Sequence, residues 1–400
     1  MLVYVDRSPF RQFQDKSTLY PNYLPIRISE ILICLKTLRL IHRLSKKLNN
    51  DFNSKNLQLL KKNTKILFRI SGGRAKNKEY GLGHVYHAMN LSSRLKPAEF
   101  FFLVEDYGNA IELLKKYNFK NIFPLKQGLD VKLDIEQATK FVKKNNIDIL
   151  IVIKHDLVTK TYVKAMRKQI KTAVISDIKK IDYQADLVIN GFIGFKNTIT
   201  KNRFGTRCLL GPKYQTLNKK YETIDKPHKK KYLILATFGG FDEQNIVEIL
   251  CQQLEKFLDK IKVKIILGQA TPKSKLVKKI ESKFPNNLKI IRETTNLKEE
   301  ISNSKFGMCA GGVTSYEFAS LGVPFAIICQ YKHQRVTAKE WQNKKVAWNL
   351  GFPNKKTKMR IHKFVKYAIE GSEKNTSKGK SVVDGFGAKR VAKEILDLIR

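Results

Sequence analysis

One segment of the chain reads as the end of a strand, a turn, a helix and a stop: Cys309-Ala310-Gly311-Gly312-Val313-Thr314-Ser315-Tyr316-Glu317-Phe318-Ala319-Ser320-Leu321-Gly322-Val323-Pro324-Phe325. Apolar runs of strand length flank it, Phe306 to Cys309 before and Phe325 to Cys329 after. Gly322 followed by Pro324 is the order expected where a helix ends. The segment therefore predicts an α/β unit with a glycine turn between strand and helix.

The glycine turn of this segment is typical of a phosphate site. Gly311 and Gly312 expose backbone N–H groups, and the helix directs the positive end of its dipole at the same point. We expect Thr314 or Ser315 to cap the helix. Glu317, in its first turn, is placed to accept hydrogen bonds from vicinal sugar hydroxyls. The alternative interpretation is a tight structural turn with a surface glutamate.

Length and charge restrict the functional class. Four hundred residues, 42% of them hydrophobic, favour two or three folded domains. The formal net charge is +42, but the lysines are spread along the chain, and the densest run is only Lys229 to Lys231. This dispersion argues against nucleic-acid binding, whereas the positive field favours an anionic small substrate.

Cysteine usage and hydropathy indicate a cytoplasmic protein. The five cysteines are odd in number, widely separated and in no paired motif, which argues against a disulfide framework or a zinc site. Residues 1–8 lack the pattern of a signal peptide, and no run of ~20 apolar residues predicts a membrane span.

The pattern divides the chain into five parts. Residues 1–62 form an extension and 63–215 a first Rossmann-like domain. Residues 216–230 are a linker, 231–365 a second Rossmann-like domain, and 366–400 a C-terminal segment with a final helix. Short apolar runs alternate with helical patterns in both domains, which predicts two parallel sheets covered by helices and facing a cleft.

The extension contains an amphipathic helix over residues 26–48. Its apolar residues recur at helical spacing, as at Ile28, Ile31 and Leu35, and basic residues occupy the other faces. We expect this stripe to pack against the next domain or a second copy. Contact with an anionic membrane surface is the alternative, which would place the protein peripherally at the inner face of the membrane.

Three glycine-bearing turns are expected to converge on the cleft. They are Gly81-Leu82-Gly83-His84 in the first domain, and Phe238-Gly239-Gly240 and Ala310-Gly311-Gly312 in the second. Each follows a predicted strand, and ligands of open α/β sheets bind outside the carboxyl ends of the strands.

These motifs resemble those of the UDP-sugar hydrolase of pseudaminic-acid biosynthesis and of the related spore-coat polysaccharide proteins. That family is similar to the glycosyltransferase that makes the lipid-linked peptidoglycan precursor. The resemblance covers roughly residue 64 to the C-terminus and keeps the order of the motifs. The matching segments are Phe68-Arg69, Gly81 to Val85, Leu209 to Tyr214, Phe238 to Asp242, Ala310 to Glu317, Leu321 to Pro324 and Asp384 to Ala388.

The resemblance implies a GT-B fold that holds UDP mainly through its C-terminal domain, without a metal or other cofactor. By position, Gly311 to Ser315 would cradle the diphosphate, Glu317 would hold the ribose, and His84 would be the general base. The implied UDP-binding residues are Gly239, Gly240, Gly311, Gly312, Val313, Thr314, Ser315 and Glu317. The candidates for the sugar side are Gly81, Gly83, His155, Asp156, His333 and Gln334.

Some positions depart from the family pattern around the sugar. Ser71 stands where an aspartate is usual, His87 stands where an arginine is expected, and residues 73–80 are an insertion. The resemblance therefore leaves the sugar and the acceptor of the glycosyl group open, and the sequence gives no oligomeric state.

Three functions follow from the sequence. The leading one is a nucleotide-sugar hydrolase, with His84 activating water, that releases UDP from an amino-deoxy sugar of the diacetamido-trideoxy-altropyranose type in nonulosonic-acid or surface-polysaccharide biosynthesis. The second is a glycosyltransferase that passes the sugar from UDP to a lipid-linked or glycan acceptor. The third is a nucleotide-binding protein without catalytic activity.

We predict that UDP binds without a divalent cation, because the sequence contains no Asp-x-Asp pair to hold one. A leaving diphosphate can instead be stabilised by fixed backbone dipoles. Titration calorimetry with UDP should give the same dissociation constant in buffer with excess chelator and with magnesium. A dissociation constant that becomes unmeasurable in chelator would contradict this prediction.

Overall fold

The computed structural model describes residues 64–73, 81–154, 159–223, 230–268, 271–371 and 378–400. The predicted extension over residues 1–62, its amphipathic helix over 26–48, and the sugar-side candidates His155 and Asp156 lie outside the described residues. Among the described residues, no helix combines the length and hydropathy that crossing a membrane requires.

The first domain is built on an eight-stranded sheet. Its strand order is β3-β2-β1-β4-β5-β6-β8-β7, and every pairing is parallel except that of β7 with β8. The strands are β1 (Lys65–Gly73), β2 (Glu99–Tyr107), β3 (Asn121–Leu125), β4 (Ile149–Ile153), β5 (Lys171–Ser176), β6 (Leu187–Asn190), β7 (Thr198–Lys201) and β8 (Arg207–Leu210). The helices are α1 (Gly83–Ser92), α2 (Ala110–Lys116), α3 (Val131–Asn145) and α4 (Thr159–Arg167).

The second domain is built on a six-stranded parallel sheet in the order β11-β10-β9-β12-β13-β14. The strands are β9 (Tyr232–Thr237), β10 (Val263–Leu267), β11 (Leu288–Arg292), β12 (Ser304–Cys309), β13 (Phe325–Ile328) and β14 (Ala347–Gly351). The helices in this half of the chain are α5 (Ile246–Leu254), α6 (Lys275–Lys283), α7 (Leu297–Ser302), α8 (Val313–Ser320), α9 (Gln334–Asn343), α10 (Lys355–Glu370), α11 (Lys378–Val382) and α12 (Gly387–Ile399). The predicted α/β architecture with two parallel sheets is confirmed.

Apolar residues cover both faces of each sheet, as parallel sheets require. Two of the four clusters join elements of both halves of the chain. In one of them, Phe192 and Ile193, which follow β6, pack with Tyr316 and Phe318 of α8. The backbone N–H of Ile193 also donates to the Tyr316 hydroxyl at 3.0 Å. The start of α8 is therefore fixed against the first domain.

The final helix returns to the first domain. Val391, Ala392 and Ile395 of α12 are buried in the same cluster as residues of β1, β2 and α1. The chain thus crosses between the two sheets a second time, and the C-terminal helix stabilises the domain that contains His84.

We expect Ile395→Ala to lower the free energy of unfolding by about 2–4 kcal/mol, because the side chain is fully buried and its loss leaves a cavity. Met359→Ala is the control: Met359 lies on α10 and is 61% exposed, so its loss should cost less than about 1 kcal/mol. Urea unfolding followed by circular dichroism measures both. Equal small losses in the two variants would show that α12 does not support the first domain.

Candidate functional site

The three predicted glycine turns meet at one cleft. A methyl group placed on Gly240 would lie 3.6 Å from Leu82 Cδ1, and one placed on Gly83 would lie 3.9 Å from Val313 Cγ2. The turn of the first domain therefore contacts both turns of the second. The cleft between them encloses about 580 Å³, a volume suited to a small-molecule ligand.

Helix α8 presents its N-terminus to this cleft without a side-chain cap. Its N-cap is Gly312, in extended backbone, and no side chain bonds the first N–H groups. The expectation that Thr314 or Ser315 would cap the helix is thus wrong. The first N–H groups of a helix have no acceptor in a preceding turn, so those of α8 before Ser315 can bond an anion, whereas the Ser315 N–H already donates to the Gly312 carbonyl at 3.1 Å. Val313 and Thr314 line the cleft.

The end of α8 follows the sequence expectation. Gly322 has a φ of +68°, and its N–H bonds the Ala319 carbonyl at 2.9 Å. The Val323 N–H bonds the Phe318 carbonyl at 3.1 Å, which completes a Schellman motif.

Ser315 supports the turn from beneath. Its side chain is fully buried, and its hydroxyl donates to the Gly312 carbonyl at 2.7 Å and accepts from the Trp341 Nε1–H at 3.0 Å. Gly311 is also buried, and its N–H points to the Gln334 Oε1 at 3.4 Å. Gly312 is exposed. Of these three predicted phosphate-binding residues, only Gly312 presents its surface to solvent.

Glu317 is half-buried in the wall of the cleft. Burial raises the pKa of its carboxyl above the ordinary value, while the nearby Tyr221 hydroxyl, Lys220 ammonium and Thr314 hydroxyl act in the opposite direction. Burial also lowers the pKa of Lys220, an effect that the Glu317 carboxylate opposes. The cleft therefore combines a hydrogen-bond acceptor with a cation close to the N-terminus of α8.

The Gly239-Gly240 turn lies against a third glycine of the second domain. Gly239 has a φ of +86°, a conformation that favours glycine. A methyl group on Gly268 would lie 2.2 Å from the Gly239 oxygen and 2.4 Å from the Gly240 carbonyl carbon. Gly268 follows β10. Only the structure shows that this position requires glycine, because the sequence does not reveal the close approach of the Gly239-Gly240 backbone.

His84 lies in the first turn of α1, between the cleft-lining residues Leu82 and Tyr86, without itself lining the enclosed volume. Its Nδ1 lies 2.6 Å from the Ser71 carbonyl oxygen. A carbonyl can only accept, so Nδ1 carries the proton and a neutral imidazole has its lone pair on Nε2. This tautomer has the form that a general base requires.

A buried charged cluster supports the end of β1 beneath His84. The Ser71 hydroxyl donates to Glu105 Oε2 at 2.7 Å, and the fully buried Arg69 bonds Glu105 at 3.1 Å and Asp134 at 2.8 Å. Lys154 reaches Asp134 at 3.3 Å. Although burial raises the pKa of Glu105, hydrogen bonds from Tyr107, Ser71 and the Gly128 N–H, with the Arg69 charge, lower it to about 2.

The remaining sugar-side candidates, Gly81, Gly83, His333 and Gln334, differ in burial and in the contacts they make. The Gly81 carbonyl accepts the Gly73 N–H at 3.2 Å, and Gly83 begins α1. His333 is exposed and stacks on Tyr331 with ring centroids 5.7 Å apart, whereas Gln334 is buried. None of these four residues lines the enclosed part of the cleft.

His87, one turn after His84, is buried within the domain. Its Nδ1 lies 2.6 Å from the Thr216 hydroxyl, and its Nε2 lies 3.8 Å from Asp177 Oδ2. Asn90 bonds the Thr216 carbonyl at 3.0 Å. Helix α1 is thus attached to the segment that leads into the second domain.

Sequence reasoning missed several residues that line the cleft: Tyr86, Met89, Asn90, Leu113, Lys116, Tyr117, Asn218, Lys220 and Arg292. They belong to helices, connections and a strand end without a glycine signature. Spacing along the sequence therefore gave no signal for them.

Comparison with known proteins identifies relatives by sequence and by fold. No protein-family model matches the chain. The chain is 27% identical over 292 residues to the spore coat polysaccharide biosynthesis protein SpsG of Bacillus subtilis, covering 68% of this chain and 80% of SpsG.

Two solved structures show the fold. MurG of Acinetobacter baumannii superposes with a TM-score of 0.59 at 16% identity, covering 84% of this chain and 99% of MurG. A UDP-glucosyltransferase of Polygonum tinctorium superposes with a TM-score of 0.61 at 12% identity, covering 84% and 98% of the two chains. The chain has the GT-B fold. The expectation of two Rossmann-like domains facing a cleft is confirmed.

We predict that Gly312→Val abolishes UDP binding and leaves the fold intact. No atom lies within 4 Å of a methyl group placed on Gly312, and its φ of −102° is open to any residue. The added side chain would instead occupy the space through which a phosphate approaches the N-terminus of α8. Calorimetric titration with UDP should show no binding, with an unchanged melting temperature. UDP binding at the wild-type dissociation constant would place the phosphate site elsewhere.

Proposed function

We propose that the protein is a UDP-sugar-dependent glycosyltransferase of polysaccharide biosynthesis. The observation that carries this proposal is a cleft that the N-terminus of α8 borders on one side and Leu82 and Tyr86 border on the other. Between Leu82 and Tyr86 in the chain stands His84, an imidazole held as the Nδ1–H tautomer. The first feature suits a leaving diphosphate, and the second suits a hydroxyl that must lose a proton.

In the proposed reaction the two domains have separate tasks. The Gly239-Gly240 turn and the start of α8 bind the diphosphate, and Glu317 accepts hydrogen bonds from the ribose hydroxyls. His84 Nε2 takes the proton of an acceptor hydroxyl as its oxygen attacks the anomeric carbon. The bond from that carbon to the diphosphate oxygen breaks, and UDP leaves with the bonding electron pair.

The similar proteins support transfer as the chemistry. SpsG is named for spore coat polysaccharide biosynthesis, and the glucosyltransferase of the same fold is named for its UDP-activated donor. The cleft wall carries three cations, Lys220, Lys116 and Arg292, against the two carboxylates Glu293 and Glu317, an excess of positive charge that favours the diphosphate.

Hydrolysis, the function that the sequence motifs favour, is the second candidate. The geometry of His84 serves it equally well, because a water molecule and a sugar hydroxyl would give their proton to the same nitrogen. The substrate would then be an amino-deoxy sugar linked to UDP, and the product the free sugar.

A donor panel separates these functions. Purified protein is incubated with a series of UDP-sugars, and released UDP is measured with and without glycan or lipid-linked acceptors. Acceptor-dependent release supports the transferase, and equal release without acceptor supports the hydrolase. Binding of UDP without release under any condition would refute both and leave a nucleotide-binding protein.

We expect His84→Ala to bind UDP like the wild type, because the proposed phosphate and ribose contacts lie in the other domain. Turnover should fall by ~10²–10⁴-fold, the usual contribution of a positioned general base. The acidic limb of the pH–rate profile should also disappear, since imidazole loses basicity on protonation near neutral pH.

The melting temperature separates this role from a structural one. A structural histidine would lower the melting temperature, and activity would fall only in proportion to the unfolded fraction. Wild-type turnover in a stable His84→Ala protein would exclude His84 as the base.

A further inference from the structure

The glutamine after β13 spans one of the glycine turns of the cleft. Gln330 is 3% exposed, and its Nε2 donates to the carbonyl oxygens of Phe238 and Phe241, the latter at 2.8 Å. These two residues stand immediately before and after Gly239-Gly240. A single amide group therefore fixes both ends of the turn.

A second glutamine extends the connection to the other turn. Gln334 is 7% exposed, and its Oε1 accepts the Gln330 N–H at 2.9 Å and the Gly311 N–H at 3.4 Å. The contacts run without interruption from Phe238 and Phe241, through Gln330 and Gln334, to Gly311. The two turns lie in different α/β units, and these side chains join them.

The chemistry of the contacts determines how the amide of Gln330 is oriented. Both of its partners are carbonyl oxygens, so the side-chain nitrogen must face them. The reverse orientation would place the amide oxygen against two acceptors and lose both hydrogen bonds. The bridge across the turn depends on a donor at this position.

We propose that Gln330 and Gln334 are positioning residues, which hold the two glycine turns at the separation needed to bind the two phosphates of a nucleoside diphosphate. This inference rests on the proposed nucleotide site. Gln334, a sugar-side candidate by sequence, then acts through the Gly311 backbone and not on the sugar.

Such residues have a physical reason to exist. Glycine has no side chain, so its backbone can approach a ligand closely. The same residue is conformationally flexible, and binding a ligand must remove that flexibility at a cost in entropy. Contacts that restrict the turns before the ligand arrives reduce this entropic cost, so they improve affinity without touching the ligand.

The test compares Gln330→Met with Gln342→Met. The first removes the donor at nearly constant volume, and the second makes the same change at an exposed position of α9. Gln330→Met should weaken UDP binding about tenfold, equivalent to ~1.4 kcal/mol. Turnover at saturating donor should change less than about twofold, since uniform binding energy affects KM and not kcat. Gln342→Met should match the wild type in both.

Hydrogen exchange provides a readout that needs no nucleotide. In the unliganded protein, amides in the peptide spanning residues 238–242 should exchange faster in Gln330→Met and in the near-isosteric Gln330→Glu than in Gln342→Met. Unchanged exchange and unchanged UDP affinity in folded Gln330 variants would overturn the inference. A wild-type protein that binds no UDP would refute the proposed function and the ligand part of the inference, while exchange still decides whether Gln330 holds the turn.

Discussion

The cleft depends on bare backbone at the carboxyl ends of its strands. Gly268 lies so close to Gly239 and Gly240 that no side chain fits between them, and Gly312 leaves the start of α8 uncovered. Because a parallel sheet brings the ends of its strands to one edge, these glycines meet without being close in sequence. Every other feature of the site, from the position of Glu317 to the two glutamines, is arranged around that exposed backbone.

Charge within the cleft is organised differently from charge over the whole chain. The net charge of +42 comes from lysines distributed along the sequence. In the cleft, Lys220 lies beside Glu317, and Lys116 of the first domain pairs with Glu293 of the second at 3.2 Å. The exposed ion pair contributes little to stability, on the order of 0–1 kcal/mol. In the cleft, these cations therefore lie next to carboxylates. The electrostatic field of the whole positively charged chain would favour the approach of an anionic substrate.

The sequence was sufficient to predict the two parallel sheets, but it did not reveal their edge strands. The central strand β4 is a continuous apolar run, and β1 is apolar from Ile66 to Phe68 and at Ile70, because helices cover both faces of these strands. The edge strands β3 and β14 gave no such signal: β3 is half exposed and contains Pro124, and β14 contains Asn349 and ends at Gly351. Strand β7 is exposed along its whole length. Edge strands are less buried than central ones, so their sequences are not continuous apolar runs.

The same distinction applies to the site. The glycine turns and His84 could be proposed as site residues from the sequence because each of their motifs is local in it. The Gln330 contact to Phe238 joins residues 92 apart, and the Arg69 contact to Asp134 joins residues 65 apart. Motifs of fixed spacing cover only a few residues, so they could not predict these contacts. Ser315 had the right residue type for a phosphate ligand, but Trp341 and the Gly312 carbonyl engage its hydroxyl.

The buried cluster under His84 explains how a histidine on a helix end is held in one orientation. Among the residues that the structure describes, Arg69 and Lys154 carry two positive charges in this cluster and Glu105 and Asp134 carry two negative ones, so these four charges balance beside the Ser71 carbonyl. Removal of a single member would leave an uncompensated buried charge, at a cost of about 3–5 kcal/mol.

That penalty makes the end of β1 resistant to rearrangement. The Ser71 carbonyl is therefore a fixed acceptor for Nδ1, which leaves the lone pair of a neutral His84 imidazole on Nε2. A base held in this way would serve either of the two proposed reactions, and the molecule on the acceptor side of the cleft would decide between transfer and hydrolysis.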